Sequence, residues 1–277
     1  MNPTLPYLYV PPDTPITPLV VSVPHAGTWV PAEDLPLVRG GRRTLLRDTD
    51  QHVDRLYAAA PLLGAAFIAS RVNRYVLDLN RSPDNVDRHV CPELESPAAE
   101  HPRALIWRQS TDGTQILARP LTQAELQSRI DRVHTPYHSF LESLLQERKS
   151  KFGYAILLDA HSMPSVGRAT HTDTGAPRAQ IVPGNNHDKS CAPALTELVC
   201  RHFESHGYDV ALNTPYSGGF ITQNYGRPEE NIHAIQVELN RALYLHEERS
   251  SWAGEKAPAL IECLNQLIVQ LVGLNLS

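Results

Sequence analysis

Short aliphatic runs alternate along the chain with stretches of helical periodicity. TPLVVSV (17–23) is a β-branched apolar run halted by Pro24, the pattern of a buried strand. From Asp48 onward, DTDQHVDRLYAAA sets Val53, Leu56, Tyr57 and Ala60 at helical spacing behind an acidic first turn, which predicts a helix. AAFIAS (65–70) and RYVLDLN (74–80) read as two further strands. Residues 82–120 are proline-rich and irregular, a long excursion over one face of the domain. TQAE (122–125) is a capping box, and it predicts a helix toward Lys151 with Leu126, Ile130, Val133, Tyr137, Phe140 and Leu144 as its apolar stripe.

In the second half, YAILLDA (154–160) predicts a buried strand and 162–187 a second loop-rich stretch. A helix near 190–205, a short strand YDVALN (208–213) and a glycine-containing turn region at 216–226 follow. HAIQVELN (233–240) predicts a strand with Ile235, Val237 and Leu239 on one face and Gln236 and Glu238 on the other, and a last helix spans about 256–274. No repeat and no break in composition marks a linker, so residues 1–277 are expected to form one domain. Strands alternating with helices imply an α/β fold with a mixed, mostly parallel sheet covered on both faces. Ligands of such sheets gather at the carboxyl ends of the strands.

Composition removes several function classes. A net charge of −5 with 20% charged residues provides no broad basic surface, so no nucleic-acid partner is expected. No apolar stretch reaches the length of a membrane span, the N-terminal segment lacks a signal-peptide pattern, and the four cysteines form no CxxC pair. A soluble, cytoplasmic protein is expected, with neither a disulfide framework nor a cysteine-based zinc site.

The chemistry concentrates where apolar strands stop. VVSVPHAG ends in His25, YVLDLNR in Asp78, Asn80 and Arg81, AILLDAH in Asp159 and His161, and AIQVELN in Glu238. A lone histidine after a strand is ordinarily a turn residue. Two at the ends of two core strands point to a shared metal, because imidazole is the commonest protein ligand and a catalytic zinc takes three of them. The third ligand is expected among Asp50, the first choice, Asp48 and His52. Any single aspartate there is by default a helix cap, but one cap needs only one. Glu238 is the candidate general base beside the open coordination position. Arg74 and Arg81 suit either an oxyanion or a carboxylate clamp.

Six ordered blocks, SVPHAGTWVP (22–31), RDTDQHVDRLY (47–57), RYVLDLNRSPDN (74–85), LLDAHSMPS (157–165), GGFITQNYGRP (218–228) and IQVELNRALYL (235–245), resemble the N-formylglutamate amidohydrolase, or deformylase, family. That family is similar to zinc carboxypeptidases and aspartoacylase. The resemblance implies a three-layer α/β/α fold and a mononuclear zinc amidohydrolase acting on a small N-acyl amino acid, N-formyl-L-glutamate first. It implies His25 and His161 as metal ligands, Arg74 for the oxyanion, Asn80 and Arg81 for the substrate carboxylate, and Glu238 as general base and acid. The wider superfamily carries a glutamate three residues after the first histidine. Here that position is Thr28, so the acidic ligand must come from elsewhere, and Asp50 is the inferred one. The rival readings are a hydrolase of another N-acyl amino acid or small peptide, and a non-catalytic metal- or carboxylate-binding relative.

Overall fold

The computed structural model describes residues 5–13, 15–94 and 100–276. Six strands form one sheet: β1 (Tyr7–Val10), β2 (Leu19–Val23), β3 (Ala66–Ser70), β4 (Ala155–Met163), β5 (Ile181–Gly184) and β6 (Ile232–Asn240), in the order β1-β3-β2-β4-β6-β5. The inner four are parallel and the two outer strands antiparallel. Every residue of β2, β3, β4 and β6 is buried, which is why those runs are nearly continuous in aliphatic residues.

The helices are α1 (Arg42–Arg47), α2 (Val53–Leu56), α3 (Gln123–Arg129), α4 (Thr135–Phe152), α5 (Pro193–Ser205), α6 (Phe220–Tyr225) and α7 (Ala257–Gly273). Alternation along the strands sends successive side chains into two apolar cores. Val21, Leu158 and Ile235 pack with Leu195 and Phe203 of α5 and Leu264 and Leu267 of α7. Val20, Leu157 and Ala234 face the other way, onto Tyr137, Leu141 and Leu145 of α4. Thr122 and Glu125 form the expected capping box. One π-helical turn at Ile130–His134 joins α3 to α4, and Gly153, with φ of 84°, ends α4 in the left-handed region where glycine costs least. Among the described residues no helix is long and apolar enough to cross a membrane, and all four cysteine thiols are free.

Several expected elements differ. Residues 74–80 are a series of turns, although Val76, Leu77 and Leu79 are buried as in a strand. Strand β3 has no edge to offer them: β2 holds one side and the unforeseen N-terminal strand β1 the other. The helix expected from Asp48 is two pieces, with Asp48 at the C-cap of α1 and only a single turn at α2. At the opposite edge of the sheet, β5 arises within the expected loop 162–187, and residues 208–213 contribute only the isolated bridge from Val210 to Ile181. The turn region 216–226 contains α6. Residues 82–94 and 100–120 hold no helix or strand, as expected; 95–99 of that stretch lie outside the described residues.

Because β2, β4 and β6 run parallel, their carboxyl ends share one edge of the sheet. Register sets Ser22 beside Asp159 and His161 beside Glu238. Period two puts Asp159, His161, Gln236 and Glu238 on the α4 side, where the 73–81 turns fold over them.

Candidate active site

His25 follows β2 by two residues, and His161 lies within β4. Their Nε2 atoms point outward onto buried carboxylates, His25 to Asp78 Oδ1 at 2.7 Å and His161 to Asp159 Oδ2 at 2.9 Å. With each Nε2–H donating to a carboxylate, both Nδ1 lone pairs face inward, 3.2 Å apart. Two facing lone pairs repel unless a metal cation, or a proton shared with Asp50, lies between them. Asp50 completes a triangle, its Oδ2 standing 3.2 Å from His161 Nδ1 and 3.6 Å from His25 Nδ1. Tetrahedral zinc with bonds of about 2.0–2.1 Å needs donor separations of about 3.4 Å, so these three residues could hold such an ion without rearrangement. Asp78 and Asp159 supply the carboxylate–histidine backing that fixes the tautomer of metal-binding imidazoles.

The electrostatics fit a positive centre. Burial raises the Asp50 pKa, but hydrogen bonds to His161 and His25 and the charge of Arg241 outweigh it and hold the carboxyl well below the usual range. Asp78 behaves likewise, burial being overcome by Arg74 and His25. Burial opposes charge on His161, yet Asp159 and Asp50 raise its pKa. Asp50 Oδ1 accepts from Arg241 Nη2 at 2.9 Å, which orients the other oxygen toward the histidines.

Of the alternative acids, Asp48 accepts from Tyr75, Thr111 and Arg168 and has no place in the triangle. His52 stacks edgewise on Trp252, also apart from it.

Glu238 lies across the strand pairing from His161 and accepts a hydrogen bond from Gln236 Nε2 at 3.0 Å. Burial pushes its carboxyl up to about 6, against the pull of His161. Arg74 donates to Asp78 Oδ2 at 2.8 Å and to the Asp48 carbonyl at 3.2 Å, and its guanidinium lies over the Trp107 ring at 4.5 Å. Its buried Nε has no partner. Asn80 Oδ1 accepts from the Ile221 N–H of α6 at 2.8 Å, while its Nδ2 makes a longer contact, 3.3 Å, to Gln236 Oε1. A Cβ on Gly219 would stand 2.3 Å from the Asn80 amide, so only glycine fits there. Arg81 is held by the Arg103 carbonyl at 3.1 Å. His25, Asp50, His161, Glu238, Arg74, Asn80 and Arg81 line one cavity of about 450 Å³, within the range of small-molecule sites.

Known proteins resemble the chain over nearly its whole length. The family model for N-formylglutamate amidohydrolase matches residues 17–245. The chain belongs to the N-formylglutamate amidohydrolase family. It is 37% identical over 265 residues to the N-formylglutamate deformylase of Pseudomonas aeruginosa and 33% identical over 263 to that of Pseudomonas putida, each match covering 92% of both chains. A crystal structure of N-formylglutamate amidohydrolase from Ralstonia eutropha JMP134 superposes with a TM-score of 0.89 at 32% identity, covering 97% of both chains. An Agrobacterium tumefaciens protein of 18% identity shares the fold, with a TM-score of 0.69 over 96% of both chains.

Within this family member the structure brings together His25, Asp50, His161, Glu238, Arg74, Asn80 and Arg81. Sequence reasoning missed the roles of Asp78 and Asp159 as imidazole partners. Asp159 had a usable signal, because two residues before His161 on a strand is the same face. Arg241, Arg103 and Arg178 carried none: the first follows β6, and the other two line the cavity from loops whose course the sequence does not reveal.

Proposed function

We propose that the chain is a zinc-dependent amidohydrolase that cleaves N-formyl-L-glutamate to formate and L-glutamate, built as one three-layer α/β/α domain of the zinc-carboxypeptidase class. The observation that carries the reading is the Nδ1, Nδ1, Oδ2 triangle of His25, His161 and Asp50, with both imidazoles backed by carboxylates. Two apolar cores on opposite faces of one sheet support the layered class.

A zinc ion bound by that triangle would supply a Lewis acid that polarises the formyl carbonyl and eases deprotonation of water. Glu238 accepts the proton of the attacking water and returns it to the departing glutamate nitrogen. A carboxyl poised near 6 is suited to both transfers around neutral pH. Arg74, oriented by Asp78 and Trp107 and with Nε unpaired, donates to the oxygen that becomes negative as the carbonyl carbon turns tetrahedral. Arg81 grips a substrate carboxylate, helped by Asn80 Nδ2. These local guanidinium groups outweigh the protein's distant net charge, screened beyond about 8 Å at physiological salt.

The test is a panel of N-formyl-, N-acetyl- and N-succinyl-amino acids and short formyl-peptides, read by release of acid, with zinc content measured in parallel. Formate released fastest from formylglutamate by zinc-loaded protein is the expected result. No formate above background from any formyl substrate would remove the assignment, and faster release from another acyl substrate would replace formylglutamate with that one.

A further inference from the structure

Away from the cavity, His202 lies on α5 and His206 at its C-cap, one turn apart, with ring centroids 4.4 Å from each other. Cys263 of α7 packs against the same face, its Sγ 3.4 Å from His202 Nε2. One donor atom from each of the three residues lies within 4.8 Å of the other two. His202 and Cys263 are buried and His206 is exposed. The cluster therefore closes the surface end of a helix–helix seam and keeps one side open to water. His206 Nδ1–H donates to the His202 carbonyl at 2.7 Å, and Nε2, when protonated, donates to Gln266 Oε1 at 2.9 Å, a proton that the ion would replace. Backbone bonding of one ring nitrogen is how metal-binding imidazoles are commonly oriented, leaving the other for the ion. His202 Nε2 lies 2.9 Å from the Cys263 carbonyl, and its buried Nδ1 makes no bond of good geometry, with the Gln270 side chain beside it.

We propose that His202, His206 and Cys263 form a second metal site, separate from the catalytic one, that takes Zn²⁺ or a divalent ion of similar borderline softness. Two imidazole nitrogens and a thiolate suit such ions, whereas calcium and magnesium demand oxygen donors that the cluster lacks. Zinc bonds of about 2.3 Å to sulfur and about 2.0 Å to nitrogen set a sulfur–nitrogen edge of about 3.5 Å, close to the 3.4 Å between Cys263 Sγ and His202 Nε2, which exchanges the Cys263 carbonyl for the ion. The exposed His206 ring exchanges Gln266 for the ion by a small rotation, and the fourth position falls on the solvent side. Cys263 loses its proton to solvent on binding. An ion held there ties α7 to α5 and stabilises the folded chain by mass action, without touching the hydrolytic machinery.

Cobalt separates the two sites cleanly. The His25, Asp50 and His161 set contains no thiolate, so a thiolate-to-cobalt charge-transfer band in the near ultraviolet reports Cys263 alone. The full-length protein, stripped with chelator and titrated with Co²⁺, is expected to bind two ions per chain and to develop that band. Cys263→Ser should abolish the band and one equivalent of metal. His206→Ala, at an exposed position where the ring contacts His202 and Gln266, should weaken the same site more than about tenfold. Both variants should keep the hydrolytic kcat. A single equivalent of cobalt without the band, or a band that survives Cys263→Ser, overturns the proposal.

Discussion

The two histidine clusters of this protein sit in opposite settings. At the strand ends, His25 and His161 are enclosed by Asp50, Asp78, Asp159 and Glu238, and each outward nitrogen donates to a carboxylate. In the α5–α7 seam, His202 and His206 meet backbone carbonyls, a side-chain amide and a thiol. Carboxylates make an imidazole a better electron donor and pull positive charge into a buried space; carbonyls merely orient it. Under the proposed function the strand-end cluster serves chemistry on a charged centre, whereas the proposed seam site holds helices together. His138 is a third case, buried against the Leu79 carbonyl and the Tyr225 hydroxyl with no carboxylate bonded to it. Burial, reinforced by nearby His134, lowers its pKa to about 3.

Removing the proton carrier should show the sharpest contrast. Glu238→Gln is expected to lower kcat by about 10²–10⁴-fold while leaving metal content intact; a loss below tenfold would take Glu238 out of the reaction. Damage to the seam should reverse that pattern. Leu267 of α7 is completely buried, and Leu267→Ala should cost about 2–5 kcal/mol in denaturant unfolding with KM and kcat nearly unchanged.

The carboxylate backing is probed by Asp159→Asn, which should weaken metal binding at the strand-end site by about 10–100-fold in chelator competition. Unchanged affinity would mean that Asp159 only orients the ring. The smallest effect belongs to His138. Its folded pKa is depressed, so below the ordinary value near 6.5 the unfolded chain binds more protons, and stability falls with pH from about 6.5 toward 3. The slope from this one group is at most about 1.4 kcal/mol per pH unit. His138→Gln should flatten it in unfolding curves at pH 7, 6 and 5, and an identical slope in both proteins would assign the acid sensitivity elsewhere.

Legibility followed burial. Strands β2, β4 and β6 and helices α4, α5 and α7 were readable because each is long or apolar enough for its period to stand out. RYVLDLN was misread because its composition is that of a strand, while its conformation depended on whether a sheet edge remained for it. Strand β5 and the arginines at 103 and 178 left no mark, since irregular chain has no period to read. In the site, His25, His161 and Glu238 were conspicuous as polar residues at the ends of apolar runs, and Asp50 as a second aspartate where one helix cap needs only one. Asp78 and Asp159 were seen as polar but not as partners.

From sequence alone came the inventory: which strands are buried, which of them end in ligand-type residues, and which family the ordered blocks resemble. Local pattern suffices for these, because side-chain periodicity and motif order are properties of the chain itself. Only the folded molecule set Asp48 and His52 apart from the triangle, turned both imidazoles so that Nδ1 faces inward, and packed α5 against α7 to pair two histidines with a cysteine. Such choices depend on distances of a few ångströms between residues far apart in the chain, 136 positions for His25 and His161 and 61 for His202 and Cys263, and strand register and helix packing set those distances.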